Sequence, residues 1–429
     1  MIGIYMFIAA LILLLVGFPV AFAFGSAAVI TAYFTPDVGL DVFTLLPYRI
    51  YGIMQNFTLI AVPLFIFMGL ILERSKIAES LLVNVGKLFG DIRGGLAIST
   101  VVVGAVLAAS TGIVGASVVM MSIISLPIMV NHGYSKSLSS GTIAASGTLG
   151  QIIPPSIVLI ILGDVMSISV GDLFRAALGP SLLLVGLYIL YILIYAYLNP
   201  KSAPAIISDE PRNITVKKAI KSIIPPALLI ILVLGSIFTG VATPTESAAF
   251  GAVGAVLLSI VNRVFSYHQL IDSALETVKL TAMIFMILIG ATAFSLVFNE
   301  VGGSDMVLEF FTQDIADGWI FVGIAMLAIF LLGFFVDFLE ICFIVIPILT
   351  PIVTTFGIDP LWFAILVAMN LQASFLTPPF GFALFYLKGA SNNLVTTADI
   401  YKGVIPFILL QVVALGIIVL FPQIVRWFV

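Results

Sequence analysis

The sequence predicts an all-α polytopic membrane protein, and three observations support this. The 429 residues are 62% hydrophobic and only 9% charged, whereas a soluble chain carries about 25% charged residues. The mean hydropathy is +1.27. Long apolar runs such as residues 223–240 recur, in place of the segments of about ten residues with alternating polarity that mark a β-barrel. At about 20 residues per spanning helix, we expect roughly ten to fourteen crossings.

The composition also excludes several functions. The net charge of −4 is spread over the loops and indicates no nucleic-acid partner. The single cysteine, Cys342, rules out an intrachain disulfide or a cysteine-built metal site. His132 and His268 begin no metal-ligand motif, and neither a nucleophile elbow nor a phosphate-binding loop is present. We therefore predict neither an enzyme nor an organic cofactor.

A polar stretch at residues 199–221 divides the chain. It reads NPKSAPAIISDEPRNITVKKAIK and holds five of the seventeen basic residues, which predicts a cytoplasmic linker by the positive-inside rule. The halves on either side are 1–198 and 222–429. The first apolar run, 2–24, lacks a basic leader and a clear cleavage site, so we interpret it as a retained helix.

The two halves share a spaced motif. A proline, a glycine and a double proline recur at a constant displacement of 224 residues. The matched positions are Pro127, Gly133 and Pro154-Pro155 in the first half and Pro351, Gly357 and Pro378-Pro379 in the second. The constant displacement indicates an internal duplication. Hydropathy leaves open whether the halves are parallel or inverted.

Each double proline predicts a broken transmembrane helix, because proline removes a backbone hydrogen bond and clashes with the preceding turn. The first broken helix is expected at 139–162 with its break at 151–156. The second is expected at 362–387 with its break at 372–379. Backbone groups freed at membrane depth must face protein or a watery cavity. Paired breaks in two halves are typical of a transporter binding site, and the alternative is a packing kink.

Before the first break, a hairpin is predicted at 96–130. Two apolar arms of about ten to twelve residues, each too short to cross a bilayer alone, flank a small polar tip at 108–117. The tip offers hydroxyl groups and flexible glycine carbonyls as candidate ligands. These residues are Ser110, Thr111, Gly112, Gly115 and Ser117. The alternative is that such small residues mediate close helix packing.

The equivalent hairpin of the second half is predicted at 320–350. Its tip, GFFVDFLEI at 333–341, carries Asp337 and Glu340 between two apolar arms. A carboxylate inside the membrane is rare and usually functional, and the i, i+3 spacing places both on one face of a helix. The alternative is a loop end in water.

The donor groups in these segments are hydroxyls, carbonyls and carboxylates. Hard oxygen ligands suit hard cations, whereas a borderline metal prefers His or Cys. Na⁺ is therefore the expected ion, and H⁺ carried by Asp337 is its rival. Half-helix N-termini at the breaks could still attract an anionic substrate.

Two further segments carry local predictions. Thr243-Pro-Thr-Glu246 has the pattern of a capped helix start, with Thr243 as the N-cap. Residues 81–92 predict an amphipathic helix that lies along the membrane surface or against a partner subunit.

Several of these motifs together resemble the large membrane subunit of the TRAP (tripartite ATP-independent periplasmic) transporters, the DctM-like subunit. They are the Gly-Ala-Ser, Pro-Ile-Met, His-Gly-Tyr and Gly-Gln-Ile-Ile-Pro-Pro-Ser-Ile motifs within 112–163, Thr243-Pro-Thr-Glu246, and Leu-Thr-Pro-Pro-Phe-Gly at 376–381. The resemblance covers nearly the whole chain.

The resemblance implies a fold of the ion-transporter superfamily, with two inverted repeats, each containing a re-entrant hairpin and a broken helix. It also implies an elevator-type transporter of the bacterial cytoplasmic (inner) membrane, driven by a Na⁺ gradient. The expected partners are a periplasmic substrate-binding protein and a small four-helix membrane subunit, which the length of this chain suggests is a separate polypeptide. The expected substrate is an organic acid such as a dicarboxylate, a sialic acid or another sugar acid.

Site residues follow from the resemblance motif by motif. The first Na⁺ site would comprise Ser110, Thr111, Gly112, Gly115, Ser117, Gly147, Thr148, Gly150 and Pro154. The second would comprise Gly333, Asp337, Glu340, Gln372, Ser374, Thr377 and Pro378. The substrate region would include Gln151, Ser156 and Asp337. The lead into the second break, Gln-Ala-Ser-Phe-Leu-Thr, lacks the glycines of many members, which keeps a sulfonate or an uncommon acid among the candidates.

Two other functions remain open on these residues. One is a stand-alone Na⁺/carboxylate symporter of similar architecture that recognises its substrate without a binding protein. The other is a channel or structural subunit, although a channel gives no reason for paired half-length hairpins.

Overall fold

The computed structural model describes residues 1–75, 77–111, 114–205, 211–379 and 381–429, and the side chains of residues 78 and 108–111 also lie outside what it describes. Across the described residues, every regular element is helical. The prediction of an all-α chain is confirmed.

The N-terminal part begins with two helices where the sequence predicted one. Gly17, with φ +99°, ends the first helix in the left-handed conformation, and Pro19 forms the N-cap of the second. The prediction of a single helix over 2–24 is therefore wrong. The elements are α1 (Ile2–Val16), α2 (Val20–Phe34), a 3₁₀ turn (Leu40–Leu45), α3 (Leu46–Met54), α4 (Phe57–Arg74) and α5 (Ile77–Phe89).

The first hairpin and broken helix follow. They are α6 (Gly95–Thr111), α7 (Val114–Asn131), α8 (Lys136–Thr148), a 3₁₀ turn (Leu149–Gln151) and α9 (Ile157–Val165). The arms are longer than predicted, at 17 and 18 residues. Gly115 and Ser117 therefore lie in the first turns of α7 and not in an irregular tip, which corrects the expectation that the Gly115 carbonyl is free to turn.

The central part contains α10 (Val170–Leu198), α11 (Arg212–Phe238), α12 (Pro244–Val261) and α13 (Tyr267–Glu300). Because α11 begins at Arg212, the lysines 217, 218 and 221 lie on a helix, and the expected linker is shorter than 199–221. The predicted cap of α12 is confirmed: Thr243 and Glu246 form a reciprocal capping box.

The C-terminal part carries the second hairpin and broken helix. Its elements are α14 (Gly303–Glu309), a π-helical turn (Phe310–Ile315), α15 (Gly318–Leu332), α16 (Phe338–Glu340), a second π-helical turn (Ile341–Val345), α17 (Ile346–Thr355), α18 (Pro360–Leu376), α19 (Phe382–Ala390), α20 (Thr397–Leu420) and α21 (Gln423–Arg426). Helix α18 continues through Gln372 and Ser374, so the break follows Leu376 rather than beginning at Gln372.

Eight helical segments of the described chain are long and apolar enough to cross a membrane. Five more apolar helices are shorter, including α1, α2, α15 and α18. The count of full-length spans is below the ten to fourteen expected. The reason is that part of the apolar sequence forms shorter helices, namely α1 and α2 on either side of Gly17–Pro19, one arm of each hairpin, and α18 before the second break.

The helices pack in two groups. In the first, α13 packs along α2 and α4, and α12 packs along α4 and α11. In the second, α8 packs against α6, α7 and α20, while α18 packs against α15, α10 and α20. The amphipathic helix α5 lies against α6 and α11, where Asn84 Nδ2 donates to Ser222 Oγ at 2.6 Å. Its apolar face is thus covered by its own chain.

The first hairpin opens toward the linker. At the start of α6, the Gly94 amide donates to the Ala203 carbonyl at 3.0 Å. Beyond the end of α7, the Ser135 amide donates to the Ser202 carbonyl at 2.8 Å. Both arms therefore enter and leave on the side where the linker lies.

The second hairpin opens at the other end of α20. The beginning of α20 packs on the beginning of α8, where Gly403 lies against Ser137 and Gly141. A helix of 24 residues then runs about 36 Å. Just beyond its end, Arg426 pairs with Asp359 at 2.8 Å, and Asp359 follows the arm α17. The two hairpins thus open toward opposite ends of α20.

Candidate functional site

Both predicted breaks are real interruptions of a helix at a double proline. The peptide bonds Pro154–Pro155 and Pro378–Pro379 are both cis. In the first break, Ser156 Oγ donates to the Gln151 carbonyl at 2.6 Å, and Ser181 Oγ from α10 donates to the Ile152 carbonyl at 3.2 Å. Serine hydroxyls therefore satisfy backbone carbonyls that the break would otherwise leave unpaired in an apolar interior.

The lead into the first break lies against the first hairpin. A Cβ on Gly147 would overlap Val118 of α7, so the absence of a side chain allows α8 and α7 to meet. Ser117, which precedes Val118, is 2% exposed. The hairpin and break residues of the first predicted Na⁺ site are thus adjacent. Of that site, the side chains of Ser110 and Thr111 and the whole of Gly112 lie outside the described residues.

The second hairpin meets the second broken helix in the same way. A Cβ on Gly333 at the end of α15 would overlap the Ser374 side chain of α18. Within α18, Ser374 Oγ donates to the Leu371 carbonyl at 2.8 Å, and Thr377 Oγ1 donates to the Ala373 carbonyl at 2.8 Å. The structure therefore brings Gly333 and Ser374 of the second predicted site together.

The two broken helices touch each other through polar side chains. Gln372 Nε2 donates to Thr148 Oγ1 at 3.4 Å, between residues 224 positions apart. Gln372 and Gln151 are fully buried, and neither Gln372 Oε1 nor either amide atom of Gln151 has a hydrogen-bond partner among the described residues. Buried polar groups are normally paired, so these amides are available to an additional ligand.

The acidic pair lies at the second hairpin tip. Asp337 is the N-cap of α16, and its Oδ1 accepts the Phe338 amide at 2.8 Å. Glu340, three residues later, is 2% exposed, and its Oε2 has no partner within the described part of the chain. Both carboxylates sit at the tip, but Asp337 is the N-cap and Glu340 lies in the first turn of a helical run that continues to Thr355. Asp337 is therefore outside the helix on which the shared face was expected.

A cavity of about 170 Å³ lies where the hairpins and broken helices meet. Gly115 of the first hairpin and Asp337 of the second line it, as do Ile157 at the start of α9 and Tyr386 of α19. On the other side it is lined by Ile66 of α4 and by residues of α13. Ile157 directly follows Ser156, so the cavity adjoins the predicted substrate region.

Sequence reasoning missed the apolar and aromatic walls of this cavity. Phe382 and Tyr386 both line it and stand one helical turn apart on α19. Their i, i+4 spacing on a half-helix after a break was the available signal. Leu280, Met283 and Ile284 of α13 also line it, and nothing distinguishes them from other apolar residues in the sequence.

Known proteins match this chain over most of its length. A family model described as the DctM component of the tripartite ATP-independent periplasmic transporters matches residues 7–424. The C4-dicarboxylate TRAP transporter large permease protein DctM of Pseudomonas aeruginosa is 31% identical over 402 residues, covering 93% of this chain and 91% of that protein. The ectoine TRAP transporter large permease protein TeaC of Halomonas elongata is 30% identical over 416 residues, covering 96% and 95%.

A solved structure shares the fold. The crystal structure of the Alcanivorax borkumensis YdaH transporter superposes with a TM-score of 0.67 and covers 97% of this chain and 99% of its own. The sequence identity is 12%, so the likeness concerns the arrangement of helices alone.

Proposed function

Since this chain belongs to the DctM component family of the TRAP transporters, we propose that it carries an organic acid across the membrane in symport with Na⁺, as the large permease of a tripartite system. The family consists of transporters and not enzymes. The chain is a multi-pass protein of the bacterial inner membrane. The main support for the proposal is the cavity that residues of both hairpins and both broken helices line together with α4 and α13.

The two halves, 1–198 and 222–429, are proposed to be inverted repeats. Three features support this: the hairpins open toward opposite ends of α20, each broken helix carries a double proline at the same displacement, and Thr148 contacts its counterpart Gln372. Residues related by a twofold axis can touch each other only near that axis. The contact therefore favours an axis that passes between α8 and α18 close to these two residues.

We propose that transport proceeds by an elevator motion. In this mechanism the hairpins and broken helices would move together against α2, α4, α12 and α13. The position of the cavity supports this, because Ile66 and Leu280 belong to the stationary group while Asp337 and Tyr386 belong to the moving one. A solute held there would cross the bilayer with the moving group.

Two Na⁺ sites are proposed, each between a hairpin and the adjacent break. The contacts Gly147–Val118 and Gly333–Ser374 support these positions. The amide oxygens of Gln151 and Gln372, which have no hydrogen-bond partner among the described residues, would supply hard ligands. Proton coupling through Asp337 is the competing possibility.

The proposed partners are a periplasmic substrate-binding protein and a small four-helix membrane subunit. The two relatives are named for a C4-dicarboxylate and for ectoine, solutes of different charge. Because relatives of similar sequence identity are named for different solutes, sequence identity does not identify which organic solute this chain transports.

Reconstitution tests the proposal. We expect proteoliposomes with all three components to accumulate solute only when an inward Na⁺ gradient is imposed, and an equal K⁺ gradient is the control. Uptake by this polypeptide alone would instead identify a stand-alone symporter. A flux that neither saturates nor depends on Na⁺ would identify a channel.

A further inference from the structure

The cavity between the hairpins has the chemistry of a site for a cation, because its lining is both acidic and aromatic. We infer that it accepts the positively charged end of a small zwitterionic or cationic solute, in particular a substituted ammonium group. This inference rests on the proposed transport function and specifies the substrate class within it.

The walls of the cavity are rich in aromatic rings. Phe338, Phe375, Phe382 and Tyr386 all line it. Phe375 packs against Phe382 with ring centroids 5.4 Å apart, and against Phe338 with centroids 6.5 Å apart. A positive charge above the face of an aromatic ring is attracted by the ring quadrupole, most strongly where water is excluded.

The charge in the cavity is negative. Asp337 is the single charged residue among the described residues that line it, and its Oδ1 already accepts the Phe338 amide. Lys279 precedes the lining residue Leu280, but it is 76% exposed and pairs with Glu276 at 4.0 Å. A bare carboxylate entering this space would meet a like charge in an apolar surrounding, where electrostatic interactions are strong.

The size of the cavity limits the solute. Its volume of about 170 Å³ is below the roughly 300–1,000 Å³ of sites for drug-sized ligands. A compact ammonium compound therefore fits the cavity better than a sugar acid does.

Two isosteric probes test the inference. Glycine betaine and 3,3-dimethylbutanoate have the same carboxylate and the same shape, but the first carries a quaternary nitrogen where the second carries a carbon. Equilibrium binding of each radiolabelled probe to the full chain in lipid nanodiscs, with Na⁺ present, isolates the effect of the positive charge. We expect betaine to bind about tenfold tighter or more, equivalent to about 1.4 kcal/mol.

Two variants locate the preference. Asp337→Asn should make the affinities for betaine and 3,3-dimethylbutanoate nearly equal, because it removes the negative charge. Phe382→Leu should weaken the binding of betaine and leave the binding of 3,3-dimethylbutanoate nearly unchanged. This second variant keeps the test usable even where Asp337→Asn fails to fold. The control is Phe385→Leu, because Phe385 is on the same helix but is 59% exposed and does not line the cavity. It should behave like the wild type.

Equal binding of the two probes, or tighter binding of 3,3-dimethylbutanoate in the presence of Na⁺, would overturn the inference. The latter result would mean that Na⁺ neutralises Asp337 and that the cavity serves an anion. If Na⁺-driven uptake in the reconstituted system persists in that case, the proposed function stands without the inference. If uptake is absent but the betaine preference holds, the proposed function fails and the cavity assignment remains.

Discussion

At the scale of single residues, the contact between each hairpin and the adjacent broken helix depends on a missing side chain. Gly333 lies so close to Ser374 that a Cβ on Gly333 would overlap the side chain of Ser374. Gly147 plays the same role against Val118. Neither glycine has a positive φ, so space and not backbone conformation requires glycine at these positions.

Replacing Gly333 with alanine should therefore separate the second hairpin tip from α18. We expect a destabilisation of about 1–3 kcal/mol, typical of overpacking, together with loss of Na⁺-driven uptake, measured by thermal unfolding and proteoliposome transport. Gly323→Ala on the same helix is the control, because no atom of the described residues lies within 4 Å of a Cβ there. The double change Gly333→Ala with Ser374→Gly should recover stability, and no recovery would refute the steric explanation.

The buried glutamines of the two broken helices lead to a second residue-scale prediction. Gln372→Met should raise the half-saturating Na⁺ concentration for uptake by about tenfold, the effect of losing one ligand interaction of about 1.4 kcal/mol. Gln411→Met is a matched control, since Gln411 is also buried but belongs to α20. An unchanged Na⁺ dependence in Gln372→Met would remove this residue from the ion site.

At the scale of elements, α8 and α20 approach each other closely through two glycines. Cβ atoms on Gly141 or Gly403 would overlap the backbone of the other helix, at Gly403 O and Ser137 O respectively. In a membrane, where apolar surface gives no driving force for association, close backbone approach and van der Waals packing hold helices together. The pair α8–α20 therefore anchors the first broken helix.

Gly403→Ala should force these two helices apart. We expect it to lower the thermal unfolding midpoint, with a loss of about 1–3 kcal/mol. Gly416 lies on the same helix, and within the described part of the chain no atom comes within 4 Å of a Cβ built there. Gly416→Ala should leave the midpoint unchanged or raised, since alanine favours a helix over glycine by up to about 1 kcal/mol. Equal effects of the two substitutions would contradict the close-packing account.

At the scale of the whole molecule, the hairpins open toward opposite ends of α20. The linker lies at the open end of the first hairpin and is followed by the basic start of α11, so by the positive-inside rule we expect that end to face the cytoplasm. The open end of the second hairpin should then face the periplasm. This orientation is what two inverted repeats require.

Cysteine labelling checks the orientation. Cys342 is the only cysteine of the chain and is buried, so it should not react. His132→Cys, at the end of α7, should be labelled by a membrane-impermeant maleimide only in inside-out vesicles. Thr355→Cys, at the end of α17, should be labelled only in right-side-out vesicles. Both positions are exposed, and labelling of both from one side would contradict inversion.

The agreement between sequence and structure is best where the signal is local. Proline breaks a helix by its own geometry, so both broken helices were predicted close to their observed bounds. Thr243 and Glu246 cap α12 through side chains three residues apart. The start of the second break was predicted too early, because α18 remains helical through Gln372. The packing around α18, rather than the helix propensity of its residues, decides where this helix ends.

Composition, proline chemistry and residue spacing were sufficient to predict the membrane environment, the two breaks and two hairpins, and the presence of Asp337 in an apolar segment. These signals depend on a few neighbouring residues, so they can be recognised from the amino-acid sequence. The packing of distant helices was needed to show that Thr148 contacts Gln372, that Gly333 contacts Ser374, and that aromatic residues of α18 and α19 line the same cavity as Asp337. In a sequence, apolar residues that line a cavity look like those that face lipid, so their role depends on which helices they pack against.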